Sequence, residues 1–183
     1  RRSSDLRTVL QVLQFLRGGD RWVLKSPQHL EQFGPLSTVF PDATVVVTHR
    51  DPAEVVVSMA TMIAYVARVH VDAPDPVAIG RHWSGVLVEM LGACVSDRGL
   101  LADERSTDIR FEDFMADEAA TVSAVYRLAA QPLDGRAAAA HAEYLAGHRR
   151  NRHGRVLHDA AAVGIDRDTL SAVTSDYRDA FGV

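Results

Sequence analysis

The chain has 183 residues, of which 47% are hydrophobic and 24% charged, so it is long enough for one domain with a sizeable core. Its net charge of -4 argues against a general nucleic-acid binder, because such domains carry a basic face. No apolar run reaches the roughly 20 residues of a membrane span. Cys94 is the single cysteine, which excludes a disulfide within the chain, and we expect a cytoplasmic protein.

The first part of the chain alternates predicted helices and strands. Apolar residues at helical spacing predict an amphipathic helix over 6–16, which a Gly-Gly pair ends. The run RWVLK at 21–25 predicts a short strand, and a short helix follows it to about residue 39. The β-branched run at 44–47 predicts a fully buried strand that passes directly into a helix over 52–69. This alternation predicts an α/β fold with a parallel sheet.

The second part of the chain is mostly helical. Residues 77–97 predict a long helix, and residues 107–111 predict a third strand. Further helices are predicted over 118–130, 136–148 and 166–181. Residues 149–155 are predicted to form a basic loop between the last two. Because no repeat or long linker divides the chain, we predict a single domain over 1–183.

Arg50 stands at the junction of the second predicted strand and the following helix. Asp51 is the expected N-cap of that helix, and Pro52 its first residue. Ligands of open α/β sheets bind at such strand ends, and the N–H groups of a helix start favour an anion. Arg50 adds a planar cationic fork, and Ser58 adds a hydroxyl. The two predict a phosphate clamp. The alternative is an ion pair of Arg50 with Asp51 or Glu54, and a serine solvated on the helix.

Two more candidates follow the first predicted strand. Lys25 is at its expected carboxyl end, which in a parallel sheet shares a rim with Arg50, and two cations there suggest a multiply anionic ligand. His29 follows closely and has the chemistry of a general base; the alternative is a histidine that caps the next helix. The basic loop either closes over the same rim or is a solvated turn. The histidine spacings fit no metal ligand set, so no metal site is predicted.

Several segments together resemble the sulfotransferase family that uses 3′-phosphoadenosine 5′-phosphosulfate (PAPS), in its bacterial branch. They are LKSPQH at 24–29, FPDA at 40–43, THRDP at 48–52 and RFEDFMAD at 110–117. The segments HGR at 153–155 and GID at 164–166 are similar to the cofactor-covering part of the family. The resemblance runs from about residue 21 to the end of the chain.

The resemblance implies a P-loop-like, three-layer α/β sandwich that transfers a sulfuryl group from PAPS to a hydroxyl or amine acceptor without a metal. In this family pattern, Arg50 and Ser58 hold the 3′-phosphate of the nucleotide. Lys25 lies near the transferring group and neutralises charge on the bridging oxygen. His29 is the nearest candidate for the base that deprotonates the acceptor.

The resemblance also implies that Gly154 and Arg155 cover the nucleotide. It leaves the acceptor open: a small molecule, a carbohydrate or a lipid all fit, as do peptides. No nucleic acid is expected as a partner, and the oligomeric state is not predicted.

One part of the family pattern has no counterpart in the chain. The family opens with a strand and a Gly-rich loop that cradles the 5′-phosphosulfate, and no segment here matches it. We therefore expect a C-terminal portion of a sulfotransferase that is incomplete at its N-terminus, carries half of the cofactor site and is inactive by itself. A missing central strand would expose backbone edges and apolar surface, so we expect the isolated chain to behave poorly, without a sharp thermal melt. The alternative is a non-catalytic nucleotide-binding or interaction module of degenerate sulfotransferase fold.

Overall fold

The computed structural model describes residues 2–148, Gly154 and residues 158–183. Within these residues, strands β1 (Val45–His49) and β2 (Ser106–Arg110) pair in parallel. Val45 pairs with Ser106 and His49 with Arg110, so both strands end at the same edge. The predicted α/β class and parallel sheet are confirmed.

The described residues otherwise form helices and short turns. The α-helices are α1 (Arg2–Arg17), α2 (Phe33–Val39), α3 (Pro52–Ala67), α4 (Pro76–Asp97), α5 (Phe111–Ala116), α6 (Glu118–Leu128), α7 (Gly135–Gly147), α8 (Arg167–Val173) and α9 (Ser175–Phe181). The 3₁₀ turns are Pro27–Glu31, Arg98–Leu100, Asp103–Arg105 and Ala161–Val163.

Carboxylate caps start the two longest inner helices, α3 and α4. The Asp51 carboxylate accepts hydrogen bonds from the backbone N–H groups of Ala53 at 2.8 Å and Glu54 at 3.2 Å. Asp75 caps α4 in the same way, and a proline follows each cap. Proline fits the first helical position because its missing N–H would have no partner there. The predicted start of α3 at Asp51-Pro52 is confirmed.

Two buried clusters form the core of the described residues. The first joins α3 and α4 to the segment before and within α8: Ala53, Val56, Val57, Ala60, Leu87, Met90, Val163, Ile165 and Leu170. The second joins β1, α2, α4 and α9: Phe33, Val47, Leu91, Cys94, Leu101 and Tyr177. Leu30, in the first 3₁₀ turn, packs against both clusters. Gly80 allows α4 to approach the last 3₁₀ turn, because a Cβ there would lie 1.9 Å from the carbonyl oxygen of Val163.

The segment RWVLK is not a strand, so this prediction is wrong. Residues 21–25 have no regular structure, and the side chain of Val23 is 95% exposed. A β-strand needs a neighbouring strand to pair with its backbone. Among the described residues β1 pairs only with β2, so no ladder reaches this segment.

The predicted C-terminal helix over 166–181 is two helices. Thr174 separates α8 from α9 with a non-helical backbone (φ -108°, ψ 15°), and its hydroxyl donates to the carbonyl of Leu170 at 2.8 Å. Leu170 packs in the first cluster and Tyr177 in the second. The break therefore lets one short segment contribute to both clusters.

Several large apolar side chains remain exposed in the described part of the chain. The side chains of Phe15, on α1, and Val23 are almost fully exposed. Those of Tyr65 and Val69, near the end of α3, are largely exposed. No helix in the described ranges has the length and apolar character needed to cross a bilayer.

Candidate active site

Arg50 lies where the sequence places it, between the last residue of β1 and the N-cap of α3. Its side chain is exposed, and the guanidinium carbon stands 4.6 Å from the centre of the Phe111 ring. The alternative ion pairs are absent within the described residues. Asp51 caps α3, and Glu54 pairs with Arg167 at 2.6 Å. Stacking on an aromatic face holds a guanidinium without using its N–H groups.

The start of α3 is less available to an anion than the sequence suggests. The N–H groups of Ala53 and Glu54 already bond to the Asp51 carboxylate, which also places a negative charge at the helix end. The expectation that free N–H groups of this helix bind an anion is therefore wrong for these two donors. Arg50 supplies a cation directly before this helix start.

Ser58 lies on α3, about 9 Å along the helix axis from Pro52 at a rise of about 1.5 Å per residue. Its side chain is half-buried, and its hydroxyl donates to no carbonyl among the residues that the structure describes. Thr61 on the same helix instead donates to the carbonyl of Val57 at 2.7 Å. Ser58 lies on the same strand–helix unit as Arg50.

Lys25 does not lie at the end of a strand, because residues 21–25 form none. The prediction that it shares a sheet rim with Arg50 by this route is wrong. Its ammonium is exposed, and it immediately precedes Ser26 and the 3₁₀ turn that begins at Pro27. That turn packs against α4, as α3 does.

His29 lies within the 3₁₀ turn and is half-buried. Its backbone N–H bonds to the carbonyl of Ser26 at 3.3 Å, whereas its imidazole makes no hydrogen bond to a described residue. The ring therefore does not cap the turn there. It lines a small cavity of about 150 Å³ together with Leu6 and Leu36.

The predicted cofactor-covering loop falls mostly outside the described residues, and Arg155 is among those outside. Gly154 is exposed, with φ of +93° and open space around its Cα. A positive φ is the conformation that glycine adopts without strain. The role assigned to both residues remains a prediction.

A buried polar network, which the sequence analysis missed, lies directly before Arg50. His49 is only 1% exposed, and both of its ring nitrogens are bonded. Nδ1 lies 2.7 Å from the Tyr177 hydroxyl, and Nε2 lies 2.8 Å from Oδ1 of Asp108. The Phe181 ring stacks on the imidazole at 3.9 Å. Arg98 binds Asp108 from the other side, with Nε 2.9 Å from Oδ2.

The network keeps His49 neutral. Burial lowers the pKa of the His49 imidazole. The hydrogen bond to Asp108 and the negative charge of Asp108 raise this pKa, but by less than burial lowers it. The positive charge of Arg98 also lowers it. An ionised carboxylate only accepts, so Nε2–H donates to Asp108, and Nδ1 accepts the hydroxyl proton of Tyr177. Burial alone raises the pKa of Asp108, but the hydrogen bonds from Arg98 and His49 more than offset this and lower it.

One signal in the sequence indicates the inward position of His49. Side chains alternate along a strand, so His49 lies on the same face as the buried Val47, and Thr48 and Arg50 lie on the other side. The partners of His49 carry no such signal, because Asp108 and Tyr177 lie 59 and 128 residues away.

Another cavity in the described part of the chain lies away from these residues. It has a volume of about 470 Å³ and is lined by β2 and α6, including Thr107, Ile109 and Leu128. None of the predicted site residues lines it, so it is not the predicted nucleotide site. No group of three or more potential metal ligands occurs in the described ranges.

The profile of the sulfotransferase family matches residues 2–135 of the chain. Two solved bacterial structures are similar: sulfotransferase STF9 from Mycobacterium avium, with 26% identity and a TM-score of 0.81, and sulfotransferase STF1 from Mycobacterium tuberculosis, with 22% identity and a TM-score of 0.66. The first alignment covers 95% of this chain and 45% of STF9; the second covers 88% of this chain and 41% of STF1.

This chain thus spans less than half the length of either solved protein. No curated protein matches it. The fold likeness to STF9 confirms the predicted P-loop-like architecture. The family match covers Lys25, His29, Arg50 and Ser58 but ends before Gly154. The chain belongs to the sulfotransferase family.

Proposed function

We propose that this chain provides the 3′-phosphate clamp and the acceptor-activating residues of a PAPS-dependent sulfotransferase. The acceptor oxygen or nitrogen forms a bond to sulfur while the bond from sulfur to the bridging phosphate oxygen breaks. The proton of the acceptor passes to a base, and adenosine 3′,5′-bisphosphate leaves. As in phosphoryl transfer, catalysis rests mainly on positioning and charge stabilisation.

The main observation behind the proposal is the exposure of the Arg50 side chain and its contact with Phe111. Its guanidinium is exposed at a strand–helix corner, stacks on Phe111, and has no ion pair to a described residue. Stacking leaves the edge N–H groups for a phosphate, which a guanidinium binds through two parallel hydrogen bonds. Ser58 adds a hydroxyl from the same strand–helix unit. The two side chains suit the 3′-phosphate that distinguishes PAPS from other adenine nucleotides.

We assign the transferring end of the reaction to Lys25 and His29. The lysine ammonium would neutralise charge that develops on the bridging oxygen, and the histidine would accept the acceptor proton. The imidazole of His29 has no partner among the described residues, which leaves a nitrogen for this proton. Gly154 and Arg155 would cover the nucleotide. We propose a small molecule, carbohydrate or lipid as acceptor.

Calorimetric titration with adenosine 3′,5′-bisphosphate tests the clamp. We expect binding by the unaltered chain, weaker binding of adenosine 5′-monophosphate, which lacks the 3′-phosphate, and no measurable binding of the bisphosphate by Arg50→Ala. The matched control is Arg68→Ala. Arg68 is also exposed and lies over an aromatic ring, Tyr65, but at the other end of α3. Unchanged affinity in Arg50→Ala would remove Arg50 from the site.

A transfer assay separates the enzyme from a non-catalytic module. Because we expect these residues to carry half of the cofactor site, the assay uses the chain extended at its N-terminus by the strand and Gly-rich loop of the family. PAPS-dependent transfer by the extended chain supports the enzyme, and bisphosphate binding without transfer favours a non-catalytic nucleotide-binding module. Lys25→Ala and His29→Ala are expected to leave bisphosphate affinity within about twofold, because neither is assigned to the 3′-phosphate, and to reduce transfer by at least about a hundredfold.

A further inference from the structure

Arg50 and Phe111 are the residues that directly follow two paired strands. The last residues of β1 and β2, His49 and Arg110, are partners in the register. The next residue on each chain segment is Arg50 or Phe111, and these two stack on one another at 4.6 Å. The position of the guanidinium therefore depends on how the two strand ends are held relative to each other.

The C-terminal helix α9 contacts the end of β1 through two side chains one helical turn apart. The Tyr177 hydroxyl donates to Nδ1 of His49 at 2.7 Å, and the Phe181 ring stacks on the same imidazole with an interplanar angle of 16°. On the far side of the ring, Asp108 accepts from Nε2 at 2.8 Å. The imidazole is thus fixed in its plane by two hydrogen bonds and across its face by Phe181.

The residue that follows α9 contacts the end of β2. The carbonyl of Gly182 accepts a long hydrogen bond of 3.4 Å from Nη1 of Arg110. Gly182 has φ of +66°, a conformation that disfavours residues with a Cβ. Asp113 holds the other edge of the same guanidinium, with Oδ2 2.7 Å from Nε. α9 and the residue that follows it therefore contact the ends of both strands.

We propose that α9 is a positioning element of the nucleotide clamp, in which Tyr177, Phe181 and Gly182 hold the two strand ends so that Arg50 stays stacked on Phe111. This inference rests on the proposed function, because it assigns α9 to the 3′-phosphate site. An arginine side chain otherwise samples many rotamers, and fixing it before the ligand arrives reduces the entropy lost on binding. None of the three α9 residues is required to touch the nucleotide.

Phe181→Ala is the informative variant, because it removes the ring from His49 without altering a charge. Leu101→Ala is the control for stability alone. Leu101 is buried in the second cluster, against which Phe181 also packs. It precedes β2, at the end of that strand opposite to Arg110. Phe181→Tyr keeps a ring to stack on the imidazole and should restore the behaviour of the unaltered chain.

Two measurements are made on each variant: affinity for adenosine 3′,5′-bisphosphate per folded molecule, and the NMR shifts of the Arg50 side-chain protons without ligand. Protons over an aromatic ring move upfield, and Phe111→Leu gives their unshifted position. We expect Phe181→Ala to weaken affinity about tenfold, as for one side chain that must be ordered on binding, and to reduce the upfield shift. Leu101→Ala and Phe181→Tyr should change neither by more than about twofold.

Equal losses of affinity in Phe181→Ala and Leu101→Ala would overturn the proposal, since α9 would then act only through overall stability. If the unaltered chain does not bind the bisphosphate, the proposed function fails, and the ligand-free shifts still decide the positioning role. An Arg50 shift that is unchanged in Phe181→Ala overturns that role, and a reduced shift supports it.

Discussion

Replacing Tyr177 by phenylalanine isolates the hydrogen bond between α9 and β1. The hydroxyl lies 2.7 Å from Nδ1 of His49, and both side chains are buried. Phenylalanine keeps the aromatic packing but leaves Nδ1 as a buried acceptor with no donor, which costs about 1–3 kcal/mol. Taking about 2 kcal/mol for a fully buried pair, the equilibrium for opening the end of β1 changes about 30-fold, since about 1.4 kcal/mol corresponds to tenfold.

Native-state hydrogen exchange measures this change at the backbone amides of β1. The method reports local opening and does not require one cooperative unfolding transition. We expect protection at these amides to fall about 30-fold in Tyr177→Phe. The control is Tyr144→Phe, because Tyr144 is largely exposed and stacks on His148 away from the strands. Unchanged protection in Tyr177→Phe, or an equal loss in the control, would refute the reasoning.

Three further predictions concern pH, helix packing and capping. The pKa of His49 in the folded chain lies below its ordinary value of 6.5. Neutral His49 therefore stabilises the fold fully above pH 6.5, and this stabilisation is lost as the pH falls from 6.5 toward the pKa of the folded chain. β1 protection should decline from about pH 7 to 5, and His49→Gln should flatten that decline; an unchanged slope would assign it to another group. Gly80→Ala puts a Cβ 1.9 Å from the Val163 carbonyl and should destabilise α4 by about 1–3 kcal/mol. Gly85→Ala, in open space on the same helix, should stabilise it by up to about 1 kcal/mol, and hydrogen exchange at the α4 amides measures both changes. Asp51→Ala should lower protection at the first amides of α3 by about 1 kcal/mol, and full protection would show that the cap is dispensable.

The corner at Arg50 was predictable because its signals are local. A β-branched run indicates the strand, and Asp51-Pro52 indicates the helix start within a few residues of it. The exposure of Arg50 follows from its place between these two elements. Its stacking partner, Phe111, is the first residue of α5, directly after the other strand, and nothing near Arg50 in the sequence indicates it.

Two other features depend on distant parts of the chain and could not be read locally. Residues 21–25 have the composition of a strand, yet they form none where no neighbouring strand pairs with them. The division between α8 and α9 follows from packing against two different clusters, which periodicity alone does not reveal. For the same reason, the expected shared rim for Lys25 and Arg50 was an inference from a strand that does not form.

In the segment THRDP, the histidine side chain points into the core and the arginine side chain points away from it. Successive side chains of a strand point to opposite faces, so a buried His49 requires its neighbours Thr48 and Arg50 to point away from the core, and both are exposed. A shift of one residue would turn the guanidinium toward the core and expose the imidazole. The inward histidine and the outward arginine are thus consequences of one register. A contact that fixes His49 from within the core therefore acts on the residue that we assign to the phosphate.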